Sequence, residues 1–260
     1  MKVDLNGKTA IVTGGSGGIG SAICRALVKN GAFVYICDIN DEMGKKLEDE
    51  LNAEGEVSKY LHCDVTKVED CKAAVDTAVA EHGYVDFMFN NAGANITLDR
   101  RGKIRNYEPD AWDFTINVCM DGLYHFSKYV VPVMKQKGGA IINTGSVTGF
   151  RMGLRNQCAY NMCKSAIHNL TRNQAIEYAK YGITVNAIIP GSTLLEGFCK
   201  MLAVSPELKA KFLSHIPLGE ANKAEDMAAA GLFFCSPEGR RVTGVLFNVD
   251  AGWAAGYCKD

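Results

Sequence analysis

Tyr160 and Lys164 stand with three residues between them in YNMCK. On a helix that spacing puts both side chains on one face, a turn apart. A phenol beside an ammonium is a candidate acid/base pair. An isolated phenol gives up its proton only near a pH of about 10, and a neighbouring cation favours the phenolate. The spacing alone is a weak signal. YHFSK repeats it at Tyr124 and Lys128, and chance supplies on the order of one such pair in a chain of this composition. The surroundings of each pair must separate them.

A second cluster lies near the start. TGGSGGIG, residues 13–20, follows an apolar run and precedes an amphipathic one. Where a strand turns directly into a helix, Gly14, Gly18 and Gly20 permit a tight turn, close approach of a diphosphate, and close helix–strand packing. Ser16 and Ile19 share that turn. The helix N-terminus adds free N–H donors and positive potential. The bland alternative is a glycine-rich turn with no ligand. Asp38 lies 18 residues past Gly20, at the end of the next apolar run. A carboxylate there accepts hydrogen bonds from both ribose hydroxyls of an adenosine and repels a 2′-phosphate. Gly17 adds to this, since no Arg or Lys occupies the turn to pair with such a phosphate. Together these favour NAD over NADP, the alternative for Asp38 being a cap for the next loop.

These residues must be positioned by regular elements. Apolar runs at 9–14, 33–38, 57–65, 85–93, 140–146, 183–191 and 244–250 read as strands. Helical stretches read at 18–31, 41–54, 68–82 and 109–136, with another carrying Tyr160. Strands alternating with helices imply right-handed crossovers and a parallel sheet covered on both faces. The nearly unbroken apolar strands suit burial on both sides. No Pro/Gly/Ser linker divides the 260 residues, so one α/β domain, doubly wound, is expected over 1–260.

Composition narrows the partners. The net charge of −1 gives no global bias toward nucleic acid or an anionic membrane. The start, MKVDLNGKTAIV, lacks the apolar stretch of a secretory signal. MAAAGLFFC, 227–235, is far too short to span a bilayer. The ten Cys form no CxxC pair and the five His no metal-ligating cluster, so no metal site is expected. Cysteines inside runs such as VYIC and FFC read as buried free thiols of a reducing cytoplasm.

Taken together, the chain resembles the short-chain dehydrogenase/reductase family in its compact single-domain form, Rossmann-like in fold, over nearly its whole length. The likeness rests on TGGSGGIG, Asp64-Val65, NNAG at 90–93, the strand ending in Ser146, YNMCK, and Pro190-Gly191. In this family the catalytic Tyr follows, by about a dozen residues, a Ser at the end of a strand. Ser146 lies 14 residues before Tyr160, and Tyr124 has no such partner. The resemblance therefore implies Ser146, Tyr160 and Lys164 as catalytic. Ser146 would donate a hydrogen bond to the substrate oxygen, Tyr160 would move the hydroxyl proton, and Lys164 would also hold the nicotinamide ribose. It further implies that Asp64 and Val65 border the adenine and that Asn91 lies near the adenosine ribose. Thr193 would meet the carboxamide through its backbone, Leu195 standing where relatives often have a Thr. The implied activity is interconversion of a secondary alcohol and a ketone with NAD. Two alternatives are a weakly active or non-catalytic NAD-binding scaffold and a 3-oxoacyl-carrier-protein reductase, against which Asp38 argues. A homotetramer or dimer is implied, with Trp253 and Tyr257 in the tail reaching a neighbour.

The pattern breaks in one place. Relatives carry an Asn three residues before a Gly in the long helix, holding a water that links the catalytic Lys to solvent. Here Cys119 takes that position before Gly122. Asn117, two residues earlier, is rotated by roughly 200° on a regular helix. Two stretches should line the pocket: the segment 94–112, whose Arg100, Arg101, Lys103 and Arg105 read first as a solvated surface and otherwise as partners of a substrate carboxylate or phosphate, and a lid around 192–219. Arg151, Met152, Arg155 and Asn156 could also reach the substrate.

Overall fold

The computed structural model describes residues 1–93, 104–150, 157–203 and 205–256. Seven strands form one parallel sheet: β1 (Thr9–Thr13), β2 (Phe33–Asp38), β3 (Ser58–His62), β4 (Phe87–Asn90), β5 (Gly139–Thr144), β6 (Ile183–Pro190) and β7 (Leu246–Val249). Their order across the sheet is β3-β2-β1-β4-β5-β6-β7. The order reverses between β1 and β4, which leaves a crevice at the carboxyl ends of those two strands.

The strands bury both faces, and their side chains alternate between two cores. Ala10, Val12, Val34, Ile36, Phe87 and Phe89 pack under α1 (Gly18–Lys29) and the C-terminal helix Ala224–Cys235. Ile11, Tyr35, Met88 and Ile141 face the other way, toward α3 (Val68–His82) and the helices described below. Burial of Tyr35 and a hydrogen bond to Glu81 push its phenol up from the usual range. The remaining helices are α2 (Asp41–Leu51), α4 (Pro109–Ile116), α5 (Gly122–Met134), α6 (Cys158–Tyr178), α7 (Glu196–Leu202), α8 (Pro206–Leu213) and α9 (Ala224–Cys235).

Most element limits lie within a few residues of those expected from the sequence, and side chains explain the differences. β4 ends at Asn90, not 93, because the Asn91 and Ala92 amides donate to Thr13 Oγ1 instead of a neighbouring strand. α2 stops at Leu51 because the Asn52 side chain accepts from the Val57 and Ser58 amides. The single helix expected over 109–136 is two helices, α4 and α5, joined by a π-turn at Asn117–Asp121. Backbone angles stay right-handed helical through the junction, so no break in the apolar pattern marks it. Gly122 then lets α5 approach closely: a Cβ there would lie 2.8 Å from Val65 Cβ.

Nine cysteines are described as free, and seven of them are buried, in keeping with their apolar surroundings. Cys37, Cys63 and Cys71 share one buried cluster, where the Cys71 thiol donates to the Val65 carbonyl at 3.5 Å. Among the described residues no group of three His, Cys, Asp or Glu could hold a metal. No helix among them is long and apolar enough to cross a membrane. Arg100, Arg101, Lys103, Arg151, Met152, Arg155, Asn156 and Tyr257 lie outside the described residues. Arg105 is exposed. Trp253 packs edge-on against Phe212 of its own α8, with ring centroids 5.7 Å apart.

Candidate active site

A cleft of about 680 Å³ opens at the carboxyl ends of the strands, within the size range of small-molecule sites. Its wall begins at the glycine turn. Gly14 has a φ of +60°, which favours glycine, and a Cβ there would lie 3.0 Å from Ala92 Cα. A Cβ on Gly20 would lie 2.0 Å from the Gly14 carbonyl oxygen. Gly17 caps α1 without any side chain, so the first amides of that helix face the cleft mouth without intrahelical partners. The sequence thus builds a bare backbone cradle of the kind a diphosphate requires.

Asp38 lines the same cleft and is held on both oxygens. Oδ2 accepts from the Ser16 amide at 3.0 Å and Oδ1 from the Asn40 amide at 3.1 Å. Asp64 is turned into its own loop, where Oδ1 accepts from the Thr66 amide (3.0 Å) and hydroxyl (2.7 Å). Partial burial works to raise its carboxyl. The Thr66 hydrogen bonds and the Lys67 ammonium outweigh that and hold it below the usual carboxylate range. Val65 is buried beside it, its carbonyl met by His125 Nδ1 at 3.0 Å.

Asn91 lines the cleft, but its side chain is committed to the protein. Nδ2 donates to the Thr13 and Gly14 carbonyls at 3.0 and 3.3 Å, and Oδ1 accepts from Thr144 Oγ1 at 3.3 Å. It ties the glycine turn to the end of β5. Thr193 is buried in a bridge to Asn222 and does not line the cleft. Leu195 does. A Cβ on Gly18 would lie 2.5 Å from Leu195 Cδ2, so this leucine closes over the glycine turn.

The other end of the cleft holds Tyr160 and Lys164, both on α6. The Lys164 ammonium sits 5.5 Å from the centroid of the Tyr160 ring. It is buried and donates to the Thr144 carbonyl at 2.7 Å. The other Tyr–Lys pair separates: Tyr124 is 59% exposed, and Lys128 lies over the Tyr129 ring instead. Ser146, two residues past Thr144, is buried at the start of a short turn, Val147–Gly149, and is not part of the cleft wall. Its Oγ accepts from the Thr148 hydroxyl at 3.0 Å and amide at 3.3 Å. With both lone pairs engaged, the Ser146 O–H is left as a donor. A Cβ on Gly149 would lie 2.7 Å from the Lys164 carbonyl carbon, so that turn packs directly on α6.

A buried polar chain fixes α6 against the sheet. Asn90 Nδ2 donates to Asn143 Oδ1, Asn143 Nδ2 donates to Thr171 Oγ1 and Gln174 Oε1, and Gln174 Nε2 donates to Ser127 Oγ on α5. Cys119, in the π-turn, is buried, whereas Asn117 is exposed. The inward position of that helix is therefore held by the cysteine. Thr13 and His168 are residues at or behind the site that the sequence did not single out, and Leu195, read as a missing Thr, takes a packing role instead.

His168 accepts the Ser146 amide at Nε2, 3.3 Å away. Burial, then the nearby Lys164 and Arg172 charges, lower its pKa to about 4. The unfolded chain binds this proton from about pH 6.5 downward, while the folded chain resists it until about pH 4. The neutral imidazole thus stabilises the fold above pH 6.5, and that contribution is lost as pH falls through 4. Urea unfolding at pH 7 and pH 4 should show the wild type losing about 3 kcal/mol more than His168→Gln. Equal losses in the two proteins would contradict the depressed value.

Comparison with known proteins agrees with this geometry. A family model described as enoyl-(acyl carrier protein) reductase matches residues 14–254. The chain belongs to the short-chain dehydrogenase/reductase family. It is 34% identical over 259 residues to 2-(S)-hydroxypropyl-CoM dehydrogenase 3 of Xanthobacter autotrophicus, covering 98% of this chain and all of that one. A crystal structure of gox2181 superposes with a TM-score of 0.90 at 30% identity, over 97% of each chain. A 3-ketoacyl-(acyl-carrier-protein) reductase from Brucella melitensis, complexed with NADH, gives 0.85 at 29%, over 96% of this chain and all of that one. This family member is thus an oxidoreductase, of a family that uses nicotinamide cofactors and acts on small molecules.

Proposed function

We propose that the protein interconverts a secondary alcohol and a ketone with NAD. The observation that carries this reading is the sharing of one cleft by Tyr160, Lys164, the glycine turn and Asp38. Bound nicotinamide supplies the hydride acceptor or donor. The turn of Gly14, Ser16, Gly18, Ile19 and Gly20 would cradle the diphosphate, through the free amides at the start of α1 and the Ser16 hydroxyl, the Ser16 amide being held by Asp38, and Asp38 would take the adenosine ribose hydroxyls. Asp64, Val65 and Asn91 would shape the adenosine end, and Thr193 with Leu195 would lie near the carboxamide end, under a lid spanning about 192–219. The Tyr160 hydroxyl would take the proton of the substrate alcohol during oxidation and return it during reduction. The Lys164 ammonium, fixed by the Thr144 carbonyl, would stabilise negative charge on that phenol and hold the nicotinamide ribose. The Ser146 hydroxyl would donate to the substrate oxygen.

Initial rates for secondary alcohols, polyols and hydroxysteroids with NAD and with NADP, followed by nicotinamide absorbance, test the reading. Reduction of NAD by at least one of them is expected. Tight NADH binding with no turnover of any would favour the non-catalytic alternative prompted by Cys119. Acyl-carrier-protein ketoreduction with NADPH would favour the other alternative.

The preference for NAD rests on the Asp38 charge. Asp38→Asn keeps an acceptor for one amide but removes the charge that repels a 2′-phosphate. Charged hydrogen bonds are worth about 1.5–3 kcal/mol, so NAD affinity should fall about 10–100-fold while NADP affinity rises. Fluorescence titration with NADH and NADPH reads both. An unchanged ratio of the two affinities would remove Asp38 from cofactor selection.

A further inference from the structure

His168 lies on α6 one turn beyond Lys164, facing the Ser146 turn rather than the cleft. It is 3% exposed. Its Nε2 accepts the Ser146 N–H at 3.3 Å. An accepting Nε2 places the ring proton of the neutral imidazole on Nδ1, and Nδ1 is buried without a hydrogen-bond partner. The backbone around it is cut to the shape of the ring. A Cβ on Gly145 would lie 2.5 Å from Nε2, and one on Gly149 would lie 2.6 Å from Cε1. Phe150 packs edge-on against the imidazole, its ring centroid 5.5 Å away at 66°, and His168 shares a second, shallower pocket with Arg172, Leu246 and Asn248. Burial and the nearby charges of Lys164 and Arg172 keep the imidazole neutral, as an acceptor must be. A leaner residue would fill this space without leaving a buried Nδ1–H unpaired, so packing alone does not account for a histidine.

We infer that His168 is a positioning residue for Ser146: its Nε2 lone pair holds the Ser146 backbone amide and so sets where the Ser146 hydroxyl is presented to the substrate oxygen. This rests on the reading of Ser146 as the substrate-oxygen donor. The chain of command runs from α6 to both catalytic ends at once. Tyr160, Lys164 and His168 occupy successive turns of one helix, with the first two lining the cleft and the third gripping the segment that carries Ser146. One rigid element thereby registers the hydroxyl donor against the phenol.

The test uses the full chain and four variants: His168→Gln, His168→Asn, His168→Leu and Ser146→Ala. The Gln side-chain oxygen reaches about as far as Nε2, whereas Asn ends near Nδ1 and Leu has no acceptor. With the alcohol of the panel that wild type oxidises fastest, Leu and Asn should lower kcat about 10–100-fold, and Gln should stay within about threefold of wild type, on the usual worth of a lost charge-neutral positioning bond in a transition state. The Kd for NADH should move less than about twofold in all three. Equal kcat for Gln, Asn and Leu, whether high or low, would reduce His168 to packing. If Leu fails to fold, the Gln and Asn pair carries the comparison. A substrate-independent arm uses ¹⁵N-histidine labelling, the His168 signal being assigned by its absence from His168→Gln. A protonated Nδ1 and unprotonated Nε2 at pH 7 are expected, and the opposite tautomer overturns the inference. Ser146→Ala separates the failures: retained turnover there refutes the role of Ser146, whereas lost turnover there with a wild-type His168→Leu refutes only the role of His168.

Discussion

Tyr160→Phe is expected to lower turnover by about 10³-fold or more while NADH binding stays within about twofold. The substitution keeps the ring that faces Lys164 and removes only the hydroxyl. General acid–base groups contribute about 10²–10⁴-fold, and no second phenol lines the cleft among the described residues. Tyr124→Phe is the matched control. Its ring is exposed and outside the cleft, so its rates should equal those of wild type. Steady-state rates in both directions, with NADH titrated by fluorescence, read the two variants side by side. A Tyr160→Phe protein that turned over normally would leave the proton without its carrier.

Gly20→Ala is expected to weaken NAD binding on the order of 10²-fold and to cost about 1–3 kcal/mol of stability from overpacking. Ala is favoured over Gly within a helix by about 1 kcal/mol, so propensity alone predicts the opposite sign. Sterics decide it. The new Cβ would meet the Gly14 carbonyl oxygen at 2.0 Å and Asn91 Nδ2 at 2.9 Å. The first is backbone and cannot swing aside, and it belongs to the turn whose amides would meet the diphosphate. Gly17→Ala provides the contrast, since its Cβ would lie 3.4 Å from the same oxygen, an ordinary contact. Thermal unfolding and NADH titration of the two variants separate the effects. Wild-type affinity in Gly20→Ala would mean that the tightness of this turn does not matter to the cofactor.

The sheet was legible because parallel strands buried on both faces read as unbroken apolar runs, as in β1 and β6. The choice of Tyr160 over Tyr124 was legible only through the family pattern, which asks for a Ser such as Ser146, just past β5 and 14 residues upstream. What escaped has a common physical character. The π-turn at Asn117–Asp121 keeps helical backbone angles and carries no proline or internal glycine, so nothing in its composition announces it. Asn91 reads as a ligand contact through the family resemblance of NNAG. Its three side-chain bonds go to Thr13, Gly14 and Thr144, partners up to 78 residues away that no local pattern reveals. Leu195 reads as the loss of a Thr, whereas in the fold it is the side chain that seals the turn at Gly18. His168 gives no signal on its own. The glycines at 145 and 149 do, once their missing Cβ atoms are seen to be the space its ring occupies.

The decisive observation is a crystal structure of the full chain with NADH bound. The diphosphate should lie on the amides of the Gly14–Gly20 turn, the adenosine ribose on Asp38, and the nicotinamide beside Tyr160, with Lys164 Nζ bonded to its ribose. A dinucleotide bound in the reverse sense, or a nicotinamide ring remote from residues 146, 160 and 164, would contradict the assignment of this cleft as the site of hydride transfer.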